Sequence, residues 1–80
     1  MPTILRLDGF RFYFYSHEPN EPRHVHVDRA GCSAKLWLEP VALASNAGFS
    51  ASEIGVLLKI VHAHRTQFME AWDGFFGTGR

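Results

Sequence analysis

The chain has 80 residues, in which eight Lys and Arg balance eight Asp and Glu, and 46% of its residues are hydrophobic. A chain of this length forms one domain with a small core, so we expect a single domain over residues 1–80. Its seven Phe, two Tyr and two Trp argue against intrinsic disorder. The balanced charge excludes a large positive field of the kind that gathers nucleic acid at a distance.

Three features of the sequence indicate where the protein resides. Cys32 is the single cysteine and cannot form an internal disulfide. The opening residues, MPTILRLDG, contain no basic segment that leads into an apolar run, and no stretch approaches the length of a membrane span. We therefore expect a soluble cytoplasmic protein that does not associate with a membrane, and we expect no cofactor.

Two β-hairpins are predicted in the first half of the chain. Asp8-Gly9 separates two runs rich in β-branched and aromatic residues, which predicts strands over 3–7 and 10–15. The proline-containing segment SHEPNEPR leaves the sheet as a loop. Strands over 24–28 and 33–39 then form a second hairpin with a slightly longer loop. The apolar run 41–44 fits either a short edge strand or a helical turn, and irregular structure is expected directly after it.

The second half of the chain carries the pattern of a helix. Ser50 and Glu53 have the spacing of a capping box, which predicts that the helix begins at Ala51. Apolar residues then recur at intervals of three and four as far as Phe75, which indicates one amphipathic helix of about six turns. The predicted fold class is α+β: a four-stranded, mostly antiparallel sheet from two β-hairpins, with one long C-terminal helix packed on one face.

The alternation of side chains along the strands divides the predicted sheet into two sides. Val25 and Val27 share one side of the third strand, and His24, His26 and Asp28 share the other. One helix covers one side of such a sheet, and we expect it to cover the Phe, Val and Leu side chains. The open side has residue types enriched at binding surfaces. We predict that it binds through Arg11, Tyr13, Tyr15, His24, His26, Lys35 and Trp37.

The main interpretation of this side is a protein interface, either with another small protein or with a second copy of the chain. Metal binding is an alternative, because two histidines one residue apart on a strand lie about 7 Å apart and can chelate one ion. His24 and His26 would then need a third ligand, for which His17 is a candidate. No cysteine or histidine motif of fixed spacing accompanies them, so a metal site is not the main prediction. His62 and His64 are on the helix, where residues two apart point in different directions.

Metal-free RNA cleavage is a second alternative. His24 and His26 would serve as general base and general acid, and Arg11 would stabilise the charge on the phosphate. Tyrosine and tryptophan on the same side could stack on unpaired bases. The neutral overall charge argues against RNA as a partner, and whether the protein is an enzyme stays open at this stage.

Four segments of the sequence resemble a known family. They are MPTILR (1–6), FYSHEPNEPRHVHV (14–27), AKLWLEPVALASNAGFSASE (34–53) and HRTQFMEAWDGFFG (64–77). Together they resemble the bacterial DUF4160 family, a domain of unknown function, over nearly the whole chain. Members usually carry two prolines before the first histidine of the central segment. Arg23 replaces the second proline here, and His17 takes a position associated with asparagine.

The resemblance implies that the chain binds a protein partner, and it gives less indication of an enzymatic activity. Members of the family are often encoded beside a small protein of the DUF2442 type, and both are described as presumed toxin–antitoxin components. This implies that the present chain has a DUF2442-like partner, and it supplies no catalytic residues that could be carried over. Arg65 and Trp72 also match the family pattern, and for both we expect packing of the helix onto the sheet.

Overall fold

A computed structural model of the protein describes residues 3–15 and 21–77. The fold is α+β, as predicted, with an antiparallel sheet whose strands follow one another in chain order. The elements are β1 (Thr3–Leu7), β2 (Phe10–Tyr13), β3 (His24–Arg29), β4 (Cys32–Leu38), β5 (Val41–Ala47), α1 (Ala51–Ala63) and α2 (Arg65–Phe76). The described residues thus form five strands and two helices, so the prediction of four strands and one long helix was wrong.

Both predicted hairpins are present, and each turns within two residues. Asp8 and Gly9 have φ values of 52° and 83° between β1 and β2, and Ala30 and Gly31 have 50° and 82° between β3 and β4. Positive φ at both central residues matches the right-handed twist of the strands on either side. The second loop is therefore shorter than predicted, and Arg29 pairs directly with Cys32.

The apolar run 41–44, whose sequence fits either an edge strand or a helical turn, is part of the fifth strand, β5. β5 pairs with β4 over its whole length, with a register irregularity between the pairs Lys35–Ser45 and Leu36–Leu43. Its residues from Leu43 to Ala47 are exposed. The segment is rich in alanine and also contains serine and asparagine, and all three are weak strand formers. Its extended conformation therefore depends on pairing with β4 and not on an apolar pattern of its own.

The predicted long helix is divided at His64. The capping box at Ser50 and Glu53 is formed, and α1 begins at Ala51 as expected. At the far end of α1, His64 has φ −108° and ψ 16°, outside the helical values. Its ring Nδ1 donates to the carbonyl of Ile60 at 2.9 Å, and the backbone N–H of His64 bonds the same oxygen at 3.0 Å. The Ile60 carbonyl thus accepts from both the ring and the backbone of His64, and this side-chain bond accompanies the departure from helical angles that separates α1 from α2.

Both helices lie on the predicted side of the sheet and bury its apolar side chains. The core consists of Phe10, Phe12, Phe14, Val25, Val27, Ala34, Leu36, Leu38, Phe49, Leu57, Ile60, Val61, Phe68 and Trp72. Burying one such large side chain contributes about 1.5–3 kcal/mol, so this cluster is the main source of stability. In the part of the chain that the structure describes, neither helix is long and apolar enough to cross a membrane.

A group of charged side chains fastens α2 to one end of the sheet. Arg23 donates to both carboxylate oxygens of Asp73, at 2.8 and 3.1 Å, and also lies 3.3 Å from Glu39. Arg65 donates to the carbonyl of Leu38 at 2.7 Å, as expected of a residue that joins the helix to the sheet. Arg23 therefore makes a two-bond, charge-assisted contact that joins the residue before β3 to α2.

Candidate functional site

The side of the sheet opposite the helices carries most of the predicted binding residues. Register places them next to one another, with Arg11 opposite Asp28, Tyr13 opposite His26, His26 opposite Lys35, and Asp28 opposite Ser33. Tyr15 follows β2, and its ring contacts the rings of Tyr13 and His26. We refer to this side as the polar face, consisting of Arg11, Tyr13, Tyr15, His26, Asp28, Ser33, Lys35 and Trp37.

Three rings form the centre of the polar face. His26 stacks on Tyr13 with a centroid distance of 5.5 Å and an interplanar angle of 21°. Tyr15 meets His26 edge-on at 4.4 Å and Tyr13 edge-on at 5.5 Å. Such contacts fix the rings relative to one another, because each restricts the rotamers of the other two. Tyr13 is only 3% exposed although no helix covers it.

Asp28 links the aromatic centre to a cation. The Tyr13 hydroxyl donates to Asp28 Oδ1 at 2.9 Å, and Arg11 Nη1 lies 3.8 Å from Oδ2. The Arg11 guanidinium also lies over the Tyr13 ring, 4.5 Å from its centroid, and donates to the Thr3 hydroxyl. Burial, with hydrogen bonds to Tyr15 and Asp28 and the charge of Asp28, raises the pKa of Tyr13 well above its ordinary value. Tyr13 is therefore a neutral hydrogen-bond donor at physiological pH.

A cavity of about 300 Å³ lies beside this network. It is lined by Tyr13, Tyr15, Asp28, Gly31, Cys32 and Ser33. Asp28 and Ser33 were not among the predicted binding residues. The strand alternation did place Asp28 on the same side as the histidines, and the pairing of β3 with β4 brings Ser33 opposite to it. The hairpin register was thus the signal that could have found both.

Lys35 and Trp37 form the part of the polar face on β4. The Lys35 ammonium lies 4.7 Å from the centroid of the Trp37 ring and hydrogen-bonds the carboxylate of Glu21. Both side chains are partly exposed. Here the polar face offers an aromatic ring and a paired cation to solvent, which is the composition of many interface centres.

His24 does not lie on an accessible surface, and in this respect the prediction for it was wrong. Register pairs it with Trp37 on the expected side, but its ring is fully buried and lies 4.9 Å from the Trp72 ring of α2. Its Nδ1 donates to the carbonyl of Pro22 at 2.8 Å. His24 is the first residue of β3, where Trp72 also contacts Phe14 and reaches the end of the sheet. The alternation of side chains along a strand does not predict that Trp72 buries His24. It gives the side to which a residue points, and it does not give what packs against the end of the strand.

The structure gives no support to a shared metal ion at the two histidines. The rings of His24 and His26 are 5.1 Å apart at their centroids, at nearly right angles. Within residues 3–15 and 21–77, no group of three or more His, Cys, Asp or Glu side chains is arranged to hold a metal ion. His17, the candidate third ligand, lies outside the described residues. On α1, His62 is exposed, and His64 lies between α1 and α2 as described above.

Comparison with known protein families defines the class of the chain. The family whose model matches is DUF4160, a domain of unknown function, over residues 9–73. The chain therefore belongs to the DUF4160 family, which confirms the resemblance, and the matched range contains the whole polar face. Comparisons with curated proteins and with solved structures found no match.

Proposed function

We propose that the chain is a recognition protein, which binds a protein partner or a second copy of itself through the polar face. The proposal includes the expectation that the partner is a small, DUF2442-like protein and that the two act in the bacterial cytoplasm as a toxin–antitoxin-like pair. The observation that carries it is the fixed arrangement of Tyr13, Tyr15 and His26 beside a cavity, on the side of the sheet opposite the core.

A surface whose side chains are already held in place loses little conformational entropy when a partner binds. Ordering a rotamer-rich side chain at an interface costs about 0.5–1.5 kcal/mol. The rings of the polar face contact one another, and the Arg11 guanidinium is held by Thr3, Tyr13 and Asp28. Aromatic and arginine side chains in such positions supply most of the binding energy in measured interfaces.

The competing function, RNA cleavage by two histidines, is less well supported by the geometry. General acid and base groups have to reach the reacting atoms of the substrate. The His24 ring has no exposed surface, and its Nδ1 is used by the Pro22 carbonyl. His26 alone remains on the polar face, so an enzyme built there would need a different second group.

The test is capture of partners from the native host at endogenous expression level. We expect the wild-type chain to recover one protein in stoichiometric amount, and we expect Trp37→Ala and His26→Ala each to reduce its recovery at least tenfold. His62→Ala is the matched control, because this histidine is exposed on α1, away from the polar face.

Equal recovery by the wild-type chain and both polar-face variants would overturn the proposal. Fragmented RNA and growth arrest on overexpression, both abolished by His26→Ala, would replace it with the nuclease function. Sedimentation of the purified chain separates the two forms of the proposal, because self-association gives a dimer in the absence of any other protein.

A further inference from the structure

The cavity beside Asp28 has a lining suited to one kind of ligand. Among the described lining residues Asp28 is the single charged one, and Tyr13, Tyr15 and Ser33 add two phenol rings and a hydroxyl beside Gly31 and Cys32. No cationic side chain is found in the lining that residues 3–15 and 21–77 supply. The Asp28 carboxylate repels an anionic ligand and attracts a cation, although its own partner Arg11, 3.8 Å from Oδ2 and outside the described lining, offsets part of that charge.

The Asp28 carboxylate retains capacity to accept further hydrogen bonds. An ionised carboxylate accepts about four. Oδ1 accepts one from Tyr13, and the Arg11 contact at Oδ2 is 3.8 Å, longer than a hydrogen bond. The side chain is 41% exposed, so a ligand can reach it. Ser33, directly opposite Asp28 in the sheet, adds a hydroxyl oxygen.

The chain itself shows which cation fits these surroundings. The Arg11 guanidinium lies over Tyr13, with Cζ 4.5 Å from the ring centroid, while it pairs with Asp28. A guanidinium is charged, has several hydrogen-bond donors and is planar, so it can also stack on an aromatic ring. An ammonium is charged and donates hydrogen bonds, but it is not planar and does not stack. Tyr15 supplies a second aromatic wall on the cavity side.

We propose that the cavity binds an arginine side chain of the protein partner, whose guanidinium donates to Asp28 and Ser33 and lies against Tyr15. This inference rests on the proposed function and adds the chemistry of the partner at one subsite. A guanine base also has N–H donors for a carboxylate, but the lining offers no cation to its phosphate, so arginine is the ligand that the charge favours.

The experiment uses the full chain labelled with ¹⁵N and three probes at matched ionic strength: argininamide, its uncharged isostere citrullinamide, and guanosine monophosphate. We expect argininamide to shift the amide signals of residues 28 and 31–33 in a saturable manner, with a dissociation constant in the millimolar range. Citrullinamide should bind at least about tenfold more weakly, since it cannot form the charge-assisted bonds.

Asp28→Asn removes the charge but keeps an oxygen that accepts from Tyr13, so the variant is expected to fold, and its unchanged spectrum elsewhere verifies this. It should lose the argininamide shifts. Asp8→Asn is the matched control, because it removes the same charge at the exposed β1–β2 turn and asparagine tolerates the positive φ there.

Three results would overturn the inference: no shift with argininamide, equal shifts with citrullinamide, or saturable shifts with guanosine monophosphate alone. Its failure is distinguishable from failure of the proposed function. If Trp37→Ala abolishes partner recovery but Asp28→Asn does not, the polar face binds a partner without an arginine in this cavity. If neither variant affects recovery, both proposals fail.

Discussion

The two faces of the sheet are stabilised in different ways, although the same strands build them. On the helix side, Val25, Val27 and Leu36 have no exposed surface, and their contribution depends on burial and close packing. On the polar face, Tyr13 is nearly as buried, but by neighbours that it stacks on or bonds to. The stability of the helix side therefore depends on the volume of its buried side chains, and that of the polar face depends on specific ring contacts and hydrogen bonds. Substitutions that leave a cavity should affect the first, and substitutions that remove a polar group should affect the second.

The largest effect is expected from a cavity on the helix side. Phe68 is fully buried on α2 and its ring lies 5.4 Å from that of Phe12. Phe68→Ala should lower the free energy of unfolding by about 3–5 kcal/mol, which for a domain of this size removes much of the stability. Urea denaturation followed by tryptophan fluorescence measures the change. Phe68→Leu, which leaves a much smaller cavity, should retain most of the wild-type stability.

His24 lies between the two faces, and its removal should have the second largest effect. His24→Ala deletes a buried ring that contacts Trp72 and bonds the Pro22 carbonyl, so we expect a loss of about 2–3 kcal/mol. The same substitution at exposed His62 should change stability by less than about 0.5 kcal/mol. Equal, small effects at both positions would show that His24 is not part of the packed structure.

Tyr13→Phe tests the geometric character of the polar face, because it keeps the ring and removes the hydroxyl with its hydrogen bonds to Asp28 and Tyr15. We expect a loss of about 1 kcal/mol. Phe10 to Tyr13 pair with β1 and β3, so Arg11 and Asp28 should remain in place in the variant. No loss of stability would mean that the Tyr13–Asp28 bond does not contribute to folding.

Ionisation of Tyr13 provides a pH test of the same bond. The raised pKa means that the folded chain holds the phenol proton more tightly than the unfolded chain does. Stability from this group is present below about pH 10, the ordinary tyrosine pKa, and is lost progressively as the pH rises above it. Tyr13→Phe should lessen that decline, and ultraviolet titration of tyrosinate should show one tyrosine that ionises only with unfolding.

The smallest effect is expected at the rim of the polar face. The Lys35 side chain is 19% exposed, and its partner Glu21 is 42% exposed. Partly exposed ion pairs contribute little, because water screens them and both side chains lose entropy. Lys35→Met, which keeps the aliphatic stem over Trp37, should change the unfolding free energy by less than about 1 kcal/mol. A larger loss would mean that the ammonium itself is needed to order this rim.

Sequence patterns predicted the features that depend on local chemistry. The Asp8-Gly9 turn, the Ser50–Glu53 capping box and the division of β2, β3 and β4 into two faces all follow from nearest neighbours along the chain. The features that were missed depend on tertiary contacts. β5 has no apolar alternation to reveal it, and His24 is buried by a tryptophan 48 positions away in the sequence.

The break at His64 was missed for a different reason. The apolar spacing runs on unchanged from α1 into α2, since Leu57, Val61, Phe68 and Trp72 would also share one face of an unbroken helix. No proline or glycine marks the position, where the backbone angles of His64 depart from helical values and its ring bonds the Ile60 carbonyl. Periodicity reports which face is buried, and it does not report a departure from helical backbone angles at one residue.

Because β5 is an exposed edge strand, the strands of the sheet should differ in how readily they open locally. Water reaches both sides of β5 from Leu43 to Ala47, whereas β3 lies at the centre between two paired neighbours. Amide protons of β5 should therefore exchange with deuterium early, through brief local fraying of this edge strand. Those of β3 should exchange much later, because they are released only when the whole domain unfolds.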